Sequence, residues 1–301
     1  MNQVPFKGVI AYPVTPFDDN ENVDIPLFKK QVERLVTAGC HGIAPLGSTG
    51  VMPYLSDAEK ETITEATMQQ VAGRVPTLVG VSNLTTEKTI YHAKFAEKAG
   101  ATAVMIIPMS YWKLTDEEIV KHYDRVASSI SIPIMAYNNP ATAGVDMSPT
   151  LLKRLLEIPN VTMIKESSGD IQRMHDLRKE LGEDAAFFNG SNPLALAAFS
   201  AGARGWCTAA PNLIPELNIA LYNAVQHNDL DSARDIFYKQ LDLLQFIVAK
   251  GLPRSIKAGL DLIGVDGGGF KSPLKPMREH EIAELGNILS ALESEIYSYQ
   301  S

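Results

Sequence analysis

The sequence predicts a (β/α)8 TIM barrel, an α/β fold, followed by a C-terminal helical extension, and three observations predict it. Eight short, nearly uninterrupted apolar runs recur along the first two thirds of the chain, as strands of a parallel sheet covered on both faces should. Amphipathic segments with recognisable ends separate them. No Gly-x-Gly-x-x-Gly follows the first run, which disfavours an open doubly wound sheet, the structural rival.

In chain order, the first run covers 8–14. The helix after it, 25–38, carries Leu27, Val32, Leu35 and Val36 on one side and stops at Gly39. Run 42–46 leads into Gly47-Ser48-Thr49-Gly50 and a helix over 57–71. That helix opens on Ser56 with Glu59 three residues later, a pairing that satisfies free amides at a helix start. Run 77–81 precedes helix 86–99, ended by Gly100, and run 103–107 precedes helix 115–129. Run 132–137 precedes helix 149–156, and run 161–165 precedes helix 170–181, ended by Gly182. Runs 185–189 and 203–207, with a helix over 193–201 between them, complete the eight. Beyond 226 the β signal stops, and 229–250, 253–263 and 280–297 read as helices. A barrel of this class runs to about 250 residues. The expected division is therefore a barrel over 1–226 carrying the active site and a helical region over 227–301 packed on it. Gly267-Gly268-Gly269 follows a helical pattern rather than a strand, so it reads as a flexible loop and not a phosphate cradle.

Composition narrows the function classes. Of 301 residues, 45% are hydrophobic and 21% charged, ordinary for a globular chain with a large core. The net charge of −8 comes without a basic stripe, so neither nucleic acid nor an anionic membrane is an expected partner. Cys40 and Cys207 form no CxxC, and the six histidines show no HExxH or clustered ligand spacing, so no metal is expected. The N-terminus lacks a basic start and long apolar core, and the most apolar stretch, 103–109, is short and broken by Pro108. The expected location is the cytoplasm.

In a (β/α)8 barrel the reactive residues sit at the C-terminal ends of the strands. Lys165 ends an apolar run in which alternation places Val161, Met163 and Lys165 on one face. Burial disfavours a charged ammonium, and Schiff-base chemistry requires a neutral amine. The same lysine could instead pair with a carboxylate or reach out to the barrel mouth. Tyr137 reads either as a core tyrosine or, beside an imine-forming lysine, as a proton relay. The Gly47–Gly50 segment can point amides at a carboxylate or can simply be a turn. Cys207 reads as a small buried hydrophobe that could line the barrel mouth, and the sequence leaves open whether Trp206 narrows it.

Together these residues resemble the dihydrodipicolinate synthase / N-acetylneuraminate lyase family across essentially the whole chain. The marks are Thr15-Pro16-Phe17, Gly47-Ser48-Thr49-Gly50, Tyr137-Asn138-x-Pro140 and Ile164-Lys165-Glu166, in that order. The resemblance implies that Lys165 forms the imine, that Tyr137 with Ser48 relays protons, and that Ser48 and Thr49 hold the keto-acid carboxylate. Tyr111 matches the family tyrosine that reaches into a neighbouring subunit's site, so a homo-oligomer, a dimer of dimers, is implied. No cofactor is implied beyond the covalent imine on Lys165. Gly47, Cys207 and Thr142 are the further expected substrate contacts.

Departures from the family pattern direct the substrate assignment. Thr142 stands where members that make dihydrodipicolinate carry an arginine for the carboxylate of aspartate semialdehyde, and a bidentate fork is hard to replace. Val51 stands where a glutamate is common, and Ser110 where a tyrosine often precedes Tyr111. The expected function is a Schiff-base lyase or aldolase acting on pyruvate or a hydroxylated 2-keto acid, outside lysine biosynthesis. The alternatives are 4-hydroxy-tetrahydrodipicolinate synthase, which condenses pyruvate with aspartate semialdehyde, and a non-catalytic keto-acid-binding barrel.

Overall fold

Each apolar run becomes a strand, most of them shorter than the run itself. A computed structural model describes residues 4–183 and 185–296. The alternating elements are β1 (Gly8–Ala11), α1 (Ile25–Thr37), β2 (Gly42–Ile43), α2 (Asp57–Val71), β3 (Leu78–Gly80), α3 (Thr86–Ala99), β4 (Ala103–Ile106) and α4 (Asp116–Ala127). They continue as β5 (Ile134–Asn138), α5 (Pro140–Ala143), α6 (Pro149–Leu156), β6 (Val161–Glu166), α7 (Ile171–Leu181), β7 (Phe187–Asn189), α8 (Ala195–Ser200), β8 (Gly205–Thr208) and α9 (Pro215–Gln226). Three helices follow: α10 (Leu230–Lys250), α11 (Leu252–Leu262) and α12 (Glu279–Ile296). Tyr297, expected to end the last helix, lies outside the described residues.

All strand pairs are parallel, in the order β2-β1-β8-β7-β6-β5-β4-β3, and a parallel bridge between Ile43 and Thr77 brings the two ends of the sheet together. Two apolar layers result. Ile10, Leu78, Met105, Met135, Met163 and Phe188 fill the inside of the barrel, while a larger cluster fills the shell between sheet and helices. The helix ends follow their local chemistry. Ser56 and Glu59 form the expected capping box, Thr115 and Glu118 form a second, and Gly100 ends α3 in a left-handed conformation. Beyond the barrel, α10 packs on α9, α11 and α12. No helix among the described residues is long and apolar enough to cross a membrane.

Four expectations need correction. The register shifts between Ile134 and Met135, so Ile134 pairs with Val161 but Met135 with Met163. Val161 therefore packs in the outer shell, and only Met163 and Lys165 share the inner face. The helix expected over 193–201 begins as a 3-10 turn at Asn192–Leu194. Helices α5 and α9 lay outside the predicted set. The Gly267–Gly269 segment is tightly seated rather than flexible: a Cβ on Gly268 would lie 2.3 Å from Pro16 and one on Gly267 2.6 Å from the Lys257 carbonyl. The Gly269 amide donates to the Phe17 carbonyl at 2.7 Å, and Lys257 Nζ donates to the Gly269 carbonyl.

Candidate active site

Strands β5 and β6 set the centre. Their register puts Tyr137 beside Lys165 and, one residue on, Asn138 beside Glu166. Lys165 is only 5% exposed, and its Nζ lies 4.0 Å from the centre of the Tyr137 ring and 4.1 Å from that of Tyr12. Two aromatic faces thus hold the amine inside the barrel mouth. Room for the lysine depends on Gly190, where a Cβ would fall 2.7 Å from Lys165 Cε and 1.9 Å from the Ser167 hydroxyl.

The Tyr137 phenol is surrounded by polar groups of the protein. Burial pushes its pKa up, but Lys165, the Asn139 amide and the Ser48 and Ser167 hydroxyls together outweigh burial and hold it below the usual tyrosine value. Asn139 Nδ2 donates to the phenol oxygen at 2.8 Å. The Ser167 hydroxyl oxygen is sealed from solvent and has no well-formed hydrogen bond of its own, so its contact with the phenol is a loose one. Tyr12, by contrast, is pushed well above the usual value by burial, with Cys207 and Tyr137 adding to it, and its hydroxyl donates to Met105 Sδ at 3.1 Å. Of the two tyrosines on the amine, Tyr137 is the one whose phenol ionises the more readily.

The loop after β2 approaches from the opposite side. Leu46 (φ 59°) and Val51 (φ 51°) are both left-handed and flank Gly47–Gly50. For the β-branched Val51 this is a strained conformation, of order 1–3 kcal/mol. Thr15 Oγ1 donates to the Gly50 carbonyl at 2.8 Å and pins the loop. Among the described residues, no acceptor takes the amide hydrogens of Ser48 or Thr49. A loop held in strain with free amides suits an anion such as a carboxylate.

These groups border a cavity of about 330 Å³ that includes Ser48, Thr49, Tyr137, Thr142, Lys165 and Cys207. Gly47 does not reach it; its α-carbon faces the Tyr12 ring and it borders a more apolar chamber of about 460 Å³ on the other side of Ser48, Tyr137 and Thr142. Cys207 is buried, and burial pushes its thiol up. Trp206 faces the outer shell, donating to Asn192 Oδ1 at 3.2 Å, so it does not narrow the cavity. Tyr111 is 89% exposed, packed edge-on against Trp112 at 5.8 Å, and does not border the Lys165 cavity of its own chain. Tyr12, Asn139, Ser167, Gly190 and Asn192 were absent from the expected set. Asn139 and Ser167 lie just beyond the ends of runs 132–137 and 161–165, which is their sequence signal, whereas Tyr12 lies inside the first apolar run, 8–14. No three His, Cys, Asp or Glu side chains among the described residues are grouped to hold a metal.

Residues 5–292 match the profile of the Dihydrodipicolinate synthetase family. A 4-hydroxy-tetrahydrodipicolinate synthase from Methanospirillum hungatei is 32% identical over 288 residues, covering 95% of this chain and 99% of that one. A crystal structure from Pseudomonas aeruginosa, provisionally described as a dihydrodipicolinate synthetase, superimposes with a TM-score of 0.93 at 52% identity, over 95% of this chain and 99% of that one. A prophage protein of the dihydrodipicolinic acid synthase family from Escherichia coli K12, solved with pyruvate, gives 0.92 at 26% identity, over 96% and 99%. Enzymes of this kind are aldolase-type and work through a lysine Schiff base with pyruvate, without an external cofactor.

Proposed function

The chain belongs to the dihydrodipicolinate synthetase family, and within it we propose a Schiff-base-forming lyase that cleaves or dehydrates a hydroxylated 2-keto acid. The observation that carries this reading is the buried Lys165 amine held between the Tyr12 and Tyr137 rings at a hydroxyl-lined cavity.

The substrate carboxylate docks on the Ser48 and Thr49 amides and hydroxyls. Lys165 Nζ adds to the keto carbon, and Tyr137 delivers a proton to the carbinolamine oxygen so that water leaves and a protonated imine remains. In a 4-hydroxy acid the C3–C4 bond then breaks and its electron pair moves to the enamine. The C4 hydroxyl proton passes to the Tyr137 phenolate and an aldehyde departs. Protonation at C3 and hydrolysis return pyruvate and the free amine. Dehydration uses the same sink: the C3 proton is lost first, and the C4 hydroxyl then leaves as water.

Tyr111 completes the relay in a neighbouring copy's site, a role supported by its exposure and by its not lining the cavity of its own chain. The active unit is accordingly a homo-oligomer. Condensation of pyruvate with aspartate semialdehyde is the second reading, favoured by the names of relatives at 32% identity. Thr142, in the position of the family arginine, weighs against it.

Borohydride trapping with pyruvate, read by peptide mass spectrometry, tests the chemistry. The expected result is a reduced adduct on the peptide carrying Lys165, absent from Lys165→Ala. If no 2-keto acid yields an adduct, the non-catalytic binding barrel replaces the lyase.

A further inference from the structure

Beyond the lysine, no described residue bordering the cavity carries a charge to match a charged substrate end. We infer that the remote end of the substrate is uncharged: the enzyme takes a 2-keto acid with a neutral, hydroxylated tail. This rests on the Schiff-base reading and adds the chemistry of the tail to it.

Lys165 is the one cation among the described residues bordering the cavity, and no Asp or Glu borders it. Away from Lys165 and the Ser48–Thr49 loop the lining consists of small neutral polar groups, Ser168, Ser191 and Asn192 among them, with Ala141, Val248 and Leu252 closing the outer side. Two arginines on the flanking helices are already engaged. Arg173 donates to the Asp146 carboxylate at 2.6 Å and to the Met147 carbonyl at 2.7 Å. Arg254 is 3.6 Å from the Glu281 carboxylate and donates to the Lys250 carbonyl. The start of α7, which could otherwise attract an anion, is capped by Asp170, whose own carboxylate accepts from the Gln172 amide at 2.9 Å.

Neutral donors, on the other hand, are available. Asn192 is buried, and its Oδ1 accepts from Trp206 Nε1 at 3.2 Å and Thr208 Oγ1 at 2.8 Å. Those two bonds fix the amide orientation, and no acceptor among the described residues takes its Nδ2 hydrogens. A tail hydroxyl exchanges one hydrogen bond to water for one to Asn192 or Ser191. A tail carboxylate would shed water against these walls with no cation to receive it.

The test compares 2-keto-3-deoxygluconate with 2-keto-3-deoxyglucarate, which differ only in whether C6 is an alcohol or a carboxylate. Each is incubated with the enzyme and borohydride across a concentration range, and the Lys165 adduct is quantified, whether of the intact acid or of pyruvate left after cleavage. Pyruvate is run in parallel. The half-saturating concentration is expected to be at least about 100-fold lower for the neutral tail, since a desolvated carboxylate without a partner is strongly disfavoured. Thr142→Arg, at an exposed position on the cavity edge, should narrow that gap by improving the charged acid. Equal concentrations, a preference for the charged tail, or no adduct with either acid while pyruvate still reacts would overturn the inference. Failure of pyruvate itself to form an adduct would instead remove the Schiff-base reading.

Discussion

Replacing Lys257 by methionine should change how stability depends on pH. Lys257 lies on α11, 2% exposed, with its Nζ 4.9 Å from the Phe17 ring centre and 4.7 Å from that of Phe270, donating to the Gly269 carbonyl. Burial pushes its pKa from the ordinary 10.5 down to about 7, with Asp261 and Asp266 pulling weakly the other way. Between pH 7 and 10.5 the unfolded chain holds a proton that the folded chain has released, so wild-type stability rises with pH across that window. Below pH 7 both states are protonated and the burial cost is present in full. From pH 7 to 9 the gain is about 2 kcal/mol per chain, from a slope that approaches about 1.4 kcal/mol per pH unit. Lys257→Met keeps an unbranched side chain against the two phenyl rings and loses this slope. Urea unfolding at pH 7, 8 and 9, at one fixed protomer concentration because assembly shifts the midpoint, should show wild type gaining on the variant by that amount. Parallel pH profiles would refute the argument and mean that the ammonium stays charged in its aromatic cage.

Three further results are expected. Tyr137→Phe should lower kcat by about 100-fold or more, the usual weight of a positioned proton donor, while Lys165 remains trappable by pyruvate; Asn139→Ala, which removes a donor that stabilises the phenolate, should move the alkaline limb of the pH–rate profile, where the phenol loses its proton, to higher pH. Cys40, pushed up to about 12 by burial, and Cys207, also raised, should resist thiol-specific alkylation in the native protein at neutral pH and react once it is unfolded, as counted by intact mass.

The elements that the sequence disclosed are those whose signal is local. Ser56 with Glu59, and Gly100 after α3, mark helix ends through contacts within four residues. Lys165 stood out because a charge at the end of an apolar strand violates burial rules. Helix α9 escaped because its N-cap is Ile214, without a capping side chain, and its core-facing positions merge with an apolar background. Val161 was assigned to the wrong face because one register shift inverts the alternation, and nothing in the local pattern marks it. Asn139, Ser167 and Gly190 acquire their roles only when β5, β6 and β7 stand side by side. Tyr12 belongs between these cases: its ring counts as core in any hydrophobic pattern, and only the closed barrel brings it over the amine.

The same alternation explains why a lysine next to a glutamate in sequence is left without an ion pair. Glu166 follows Lys165 but points to the opposite face of β6, where it is fully buried and accepts from Asn138 Nδ2 at 2.9 Å and the Ser168 amide at 2.6 Å. Burial raises its pKa despite those bonds. Asn138 also donates to Asp146 at 3.1 Å and accepts from the Met147 amide at 2.9 Å, and Arg173 closes the group from outside. The carboxylates around the strand ends are thereby spent on one another's loops, behind the sheet. None of the described carboxylates forms a salt bridge with Lys165. A carboxylate there would favour an ammonium, which cannot add to a carbonyl. The network instead ties Asn138 to Glu166 in the register step next to Tyr137 and Lys165, so the two groups proposed to do the chemistry are positioned by polar bonds that never enter the cavity.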